Sequence, residues 1–225
     1  MINIYTLPVW FLPIDEYFEL TFAVITLTIS LFSYKLYTLG KQRQIKLFGT
    51  SFLFISISYF IQCICNSNII SFLENNSYIS ISAAAKHILL VMGIYSYIFF
   101  YILGLIIFTY MTFQIQSKKL FFFVLLVLLL SLILVYDKVF LFYILSILMI
   151  LFIILFYMTQ YFRQNNKKTA LILVSFIILL LSAVAYLFST ENGRFYIEGH
   201  ILELVAYLTM LINMIVIVKN AQKKG

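Results

Sequence analysis

Apolar positions in this chain gather into seven long runs, separated by short polar interruptions. None of the runs alternates apolar with polar residues, so they read as helices rather than as the short alternating strands of a barrel. A membrane span takes about 20 apolar residues. The pattern predicts helices over Glu16–Leu39, Leu47–Cys65, Ala83–Ile115, Leu120–Tyr136, Val139–Phe162, Thr169–Phe188 and Glu198–Val218. No Gly or Pro separates the fourth from the fifth, but length does. A single helix from Leu120 to Phe162 would run about 60 Å, roughly twice the thickness of the hydrocarbon layer. A hairpin turning at Asp137–Lys138 is therefore expected. Residues 1–15, with Tyr5, Pro8, Trp10, Phe11 and Pro13, read as an interfacial segment rather than a cleavable signal, and 220–225 as a basic tail. Residues 16–219 form the membrane domain.

Composition supports this reading. The 225 residues are 64% hydrophobic and 10% charged, against about half and a quarter in soluble domains. The expected fold class is all-α, a polytopic transmembrane bundle in the cell membrane with lipid as its main partner.

Charge sets the expected orientation. Lys35, Lys41, Arg43, Lys46, Lys118, Lys119, Arg163, Lys167, Lys168, Lys219, Lys223 and Lys224 fall on one side, and Lys86, Lys138 and Arg194 on the other. Cytoplasmic loops carry the excess of Lys and Arg, so the N-terminus is expected outside and the C-terminus inside. The net charge of +7 is explained by these loops, and no nucleic-acid partner is expected. Cys63 and Cys65 stand two apart on one helix, point to nearly opposite sides and cannot bridge each other.

Polar residues within the spans are unevenly shared. The fourth to sixth helices offer little beyond Ser131, Ser146, Ser175 and Ser182, and read as helices of lipid contact and packing. On the first, Glu19, Ala23, Thr26, Ser30, Ser33 and Tyr37 share a face; on the second, Ser58, Gln62 and Asn66 do. The third opens with Lys86 and His87 and carries Tyr97 and Tyr101, which need partners and are expected to face the bundle. On the last, Tyr196, His200, Glu203, Tyr207 and Met210 form one stripe. Small and hydroxylated residues commonly serve close helix packing. Ionisable ones inside a membrane are costly and mark function. If the helices form a sequential ring, Glu19, Gln62, Asn66, Lys86, His87, His200, Glu203 and Tyr207 converge on a pocket in the outer leaflet between helices 1, 2, 3 and 7. Glu203 is expected to face inward and pair with a group of helix 1, 2 or 3, with Lys86 or His87 foremost.

A retinal photoreceptor needs a lysine in the middle of the last helix, and the first one there is Lys219 at its end. Haem b would take His87 and His200 as paired axial ligands. A divalent metal would take His87, His200 and Glu203. That metal set loosely resembles the seven-helix ceramidase and adiponectin-receptor superfamily, whose last helix carries two histidines four apart; here Leu204 stands at the second position. No catalytic constellation emerges, and no cofactor is expected.

The stretch Gly199–His200–Ile201–Leu202–Glu203, with Val205, Ala206 and Tyr207, resembles the final helix of membrane-associated sensor regions that precede prokaryotic histidine kinases and diguanylate cyclases. The resemblance implies a membrane sensing module. With no output domain after Lys224, it also implies a separate cytoplasmic or membrane signalling partner. The leading expectation is thus a sensor-like or ligand-binding membrane protein. A haem- or metal-binding protein and a purely structural subunit are the alternatives.

Overall fold

The computed structural model describes residues 11–74, 83–113, 137–164, 167–189 and 192–222, together with Phe123, Leu125, Leu126, Val127, Leu130 and Ser131; the side chains of 12, 68–74, 83–90, 164, 167 and 168 lie outside the description. The helices are α1 (Leu12–Gly40), α2 (Arg43–Glu74), α3 (Ala83–Thr112), α5 (Lys138–Gln164), α6 (Lys167–Phe188) and α7 (Gly193–Gln222). A further helix, α4, precedes α5; its described residues, the six named above within 123–131, are all helical. The chain is a seven-helix, all-α bundle. Among the described residues, six helices are long and apolar enough to cross a membrane, which makes it a multi-pass membrane protein.

Local chemistry sets the helix ends. Proline is pre-organised for a first helical turn, so Pro13 starts α1 instead of preventing it, and Asp15 falls inside the helix. The other end of α1 closes at Lys41, which adopts a left-handed conformation (φ 49°) and donates its N–H to the Tyr37 carbonyl at 2.7 Å. Gln42 then leads into α2. The break before α5 is a cap: Asp137 accepts a hydrogen bond from the Phe140 N–H at 3.1 Å. The turn preceding Asp137 lies outside the described residues. Asn192 likewise accepts from the Arg194 N–H at 3.1 Å, so α7 begins at Gly193, a full turn before the expected Glu198. The stretch from Asn66 to Ser82, expected as a loop, is helical as far as Glu74.

Neighbouring helices close a ring in which α1 packs on α2, α2 on α3, α3 on α5, α5 on α6, α6 on α7 and α7 on α1. The expected closure of the last helix onto the first is present. One feature differs from a strictly sequential ring, since α3 meets α5 directly. The core runs through Phe22, Ile29, Phe52, Ile102, Leu105, Phe108, Ile150, Ile153, Phe176 and Met210. Close approach is part of this packing. A Cβ on Gly104 of α3 would lie 2.8 Å from the Ser51 carbonyl oxygen and 2.7 Å from Ile55, so only glycine lets α2 and α3 come this near. Exposure follows the expected division in part. In its most apolar stretch, α5 is 28% buried against 50% for α3.

Candidate functional site: a buried carboxylate and tyrosine cluster

The start of α1, the end of α2 and the start of α7 meet at one end of the bundle. Asp15 and Glu19 are one helical turn apart on α1 and both are buried. His200 and Glu203 are three apart on α7 and buried as well. The two helices present these faces to each other because α7 packs on α1.

Asp15 is the hub. Its Oδ1 lies 2.7 Å from His200 Nε2, and the Tyr196 hydroxyl lies 3.1 Å from both carboxylate oxygens. Asn66 of α2 donates from Nδ2 to Asp15 Oδ2 at 3.1 Å and to Glu19 Oε1 at 2.9 Å, joining the two acids. His200 Nδ1 lies 3.0 Å from the Tyr196 carbonyl, which can only accept, so Nδ1 carries a proton. The contact between Nε2 and Asp15 then shares one further proton, either as imidazolium and carboxylate or as imidazole and carboxylic acid. Phe11, Phe18, Phe22, Tyr186 and Tyr196 surround the imidazole, with ring centroids 4.5–5.8 Å away. On the rim, Ser67 donates to Glu16.

One turn further along α7, Glu203 receives a phenol on each oxygen. Tyr59 of α2 donates to Oε1, and Tyr186 of α6 donates to Oε2 at 2.7 Å. The single proton of Tyr59 is used in that bond, so the Tyr207 hydroxyl, 2.9 Å away, donates to Tyr59. Gly199 lets the ring of Tyr186 lie flat on α7, since a Cβ there would sit 2.8 Å from it. Ser182 ties the same two helices by donating to the Gly199 carbonyl at 2.9 Å. A cavity of about 20 Å³ borders Glu203, lined by Tyr97, Tyr101, Tyr143, Ser146, Ser182 and Tyr186 among others. It has room for about one water.

The expected site residues are thus placed as follows. Glu19, Asn66, His200, Glu203 and Tyr207 come together in the cluster, and Gln62 is half-buried beside Glu19. Glu203 faces inward and takes a partner from α2, a tyrosine. Lys86 and His87 stand near the start of α3, and their pairing with Glu203 lies outside the described side chains. Among the described residues, aromatic rings pack around the cluster, with Phe22 against Tyr59, Tyr207 and His200. Both nitrogens of His200 are engaged, so a haem or metal ligand role would require it to leave Asp15. Among the described residues, no three His, Cys, Asp or Glu side chains converge as a metal-ligand set.

Sequence reasoning missed Asp15, Tyr59 and Tyr186. Asp15 continues the α1 stripe one step back from Glu19, and Tyr59 shares the Gln62–Asn66 face, so spacing could have found both. Tyr186 carried no such signal, and α6 is more than a packing helix. Comparison with protein-family models, curated proteins and solved structures finds no match to this chain.

Proposed function

We propose that this chain is a sensor-like membrane module whose receiving element is the buried ionisable cluster, with the acidic end outside and the basic end in the cytoplasm. One observation carries the reading. A single uninterrupted helix, α7, holds His200 and Glu203 in the cluster and continues through the buried stripe Tyr207, Met210, Met214 and Val218 to Lys219 at the other end. Its 30 residues extend about 45 Å, enough to reach across the bilayer. A change of partner at Asp15, Glu19 or Glu203 alters what holds α7 against α1, α2 and α6, and a rigid helix delivers that shift to its far end. Helix gluing alone is served by neutral hydroxyls and amides, whereas buried carboxylates are expensive inside a membrane. The signal then passes to a separate partner at the basic face, where Lys41, Arg43, Lys46 and Lys219 lie.

Spin labels at Gln42 and Asn220 test the transmission. The distance between them should change between wild type and Glu203→Gln in lipid nanodiscs. Identical distance distributions in both, and in Glu203→Leu, would refute the sensor reading.

A further inference from the structure

The three buried carboxylates of the cluster are unequally supplied with donors. Asp15 receives His200, Tyr196 and Asn66. Glu203 receives Tyr59 and Tyr186. Among the described residues, Glu19 receives one full hydrogen bond, from Asn66 on Oε1, and that amide nitrogen is shared with Asp15; the Gln62 amide approaches it more weakly. Its Oε2 is buried and has no hydrogen-bond partner among the described residues, although the residue is only 2% exposed. Gln62 stands close without completing a hydrogen bond to Oε2.

The surroundings add negative rather than positive charge. From α1 itself, Asp15 and Glu16 act on Glu19. The thiols of Cys63 and Cys65 on α2 and the phenol of Tyr196 on α7, which is bound to Asp15, lie within electrostatic reach and bring no positive charge. The phenols Tyr97 of α3 and Tyr143 of α5 also lie within electrostatic reach. The one described base in the cluster, His200, is committed to Asp15. An anionic oxygen in this setting lacks both a donor and a counter-charge, and burial makes that lack costly.

We propose that Glu19 is the seat of one small monovalent cation, a proton or an alkali ion, held at Oε2. This rests on the sensor reading above and names what that sensor receives. Either cation supplies the missing charge. A proton needs only Oε2, while an alkali ion would add the amide oxygen of Gln62 and water as neutral ligands, in keeping with hard cations and oxygen donors. Occupancy cancels the repulsion between Glu19 and Asp15 across the shared Asn66, and so changes how α1 holds α2 and, through Asp15 and His200, α7.

The test uses the full chain in zwitterionic nanodiscs, with infrared spectra of the neutral-carboxyl band and thermal unfolding as readouts. NaCl or KCl is compared with N-methylglucamine chloride across a pH series. A neutral-carboxyl band that is lost in Glu19→Gln and kept in Glu203→Gln places a proton at the seat. A saturable rise in Tm with Na⁺ or K⁺, also lost in Glu19→Gln, places an alkali ion there. If Glu19→Gln does not fold, Glu19→Asp replaces it, and a shifted band or weakened ion response is expected. The proposal is overturned if the wild type shows neither a neutral-carboxyl band nor a dependence on Na⁺ or K⁺. It is equally overturned if every signal the wild type shows survives unchanged in the Glu19 variants. A wild type that responds only once Lys86 is changed to Met would show the lysine filling the seat, and also overturns it. Cation binding without movement between labels at Gln42 and Asn220 would sink the sensor reading and leave this inference standing; movement without cation binding would do the reverse.

Discussion

The two halves of this bundle use polar side chains in opposite ways. At the acidic end, Asp15, Glu19, Asn66, Tyr59, Tyr186, Tyr196, His200 and Glu203 bond almost entirely across helices, so each bond joins segments far apart in sequence. Toward the middle and the basic end, hydroxyls mostly bond back to their own helix. Thr26 donates to the Phe22 carbonyl, Ser33 to Ile29, Ser51 to Phe48 and Ser58 to Ile55. A self-bonded hydroxyl is satisfied wherever its helix goes, so it favours close packing but fixes no partner. A carboxylate with phenol donors from two other helices is satisfied in one arrangement only. The acidic end specifies how the helices meet, and the rest of the bundle accommodates it.

The contrast is broken most directly at Glu203. Glu203→Leu leaves the Tyr59 and Tyr186 hydroxyls buried without their acceptor. With about 1–3 kcal/mol for each stranded group, a loss of roughly 3 kcal/mol or more is expected in reversible unfolding from detergent. Glu203→Gln keeps the shape and one acceptor oxygen, and should cost much less. Equal losses for the two variants would mean that volume rather than hydrogen bonding holds this layer.

The next effect is the coupling between Asp15 and His200. A double-mutant cycle with Asp15→Asn and His200→Gln should give about 1–2 kcal/mol of interaction energy, since the pair is in direct contact at 2.7 Å and buried. Values near zero would reduce the pair to separate contacts with Tyr196 and Asn66.

How much of this was readable follows from the same contrast. The spans were legible because apolar runs record them directly, whereas their lateral order was an assumed sequential ring, matched where α7 packs on α1 and departed from where α3 meets α5. The inward face of α7 was legible because Glu203, Tyr207 and Met210 keep helical spacing through an apolar sequence. The partners were less legible. Tyr97 and Tyr101 were read as needing partners, but Tyr59 and Tyr186 were not singled out, although each supplies a donor to Glu203. Asp15 was hidden by its place in the segment 1–15, read as interfacial, whereas Pro13 stands in the first turn of α1 and Asp15 falls inside the helix. Asn66 and Ser67 look like loop residues because such side chains compete for backbone bonds. Here acids of α1 engage both side chains, and α2 continues past them to Glu74.

Smaller effects are expected away from the acidic end. Thr26→Val and Ser33→Ala remove only bonds to their own helix, and each should change stability by about 0.5 kcal/mol or less. Some bonds here do cross between helices (Ser56 to the Ala23 carbonyl, Tyr34 with Thr50, Arg43 to Tyr110), and Ser30 is the informative one. Its hydroxyl donates to the Gly49 carbonyl of α2 at 2.8 Å, a bond between helices. Ser30→Ala should cost about 0.6 kcal/mol, the average for a hydrogen bond between membrane helices. A larger cost for Thr26 or Ser33 than for Ser30 would contradict the division into fixing and accommodating bonds.

The last prediction changes no energy at all and asks whether the two ends face opposite compartments. With Cys63 and Cys65 replaced by Ala, single cysteines are placed at Asn75 and Asn166. In the sequence Asn75 directly follows Glu74, the last residue of α2, the helix that carries Asn66. Asn166 lies between Arg163 and Lys167, in one of the basic connections. Twelve of the fifteen Lys and Arg residues fall with Asn166, and positive loops stay in the cytoplasm. An impermeant maleimide should therefore label Asn75→Cys on intact cells and Asn166→Cys only after permeabilisation. The reversed pattern would turn the cluster toward the cytoplasm, where the same acids would meet internal rather than external cations. Labelling of both from outside would put an even number of spans between them, and the opposition of acidic and basic ends would no longer correspond to two sides of a membrane.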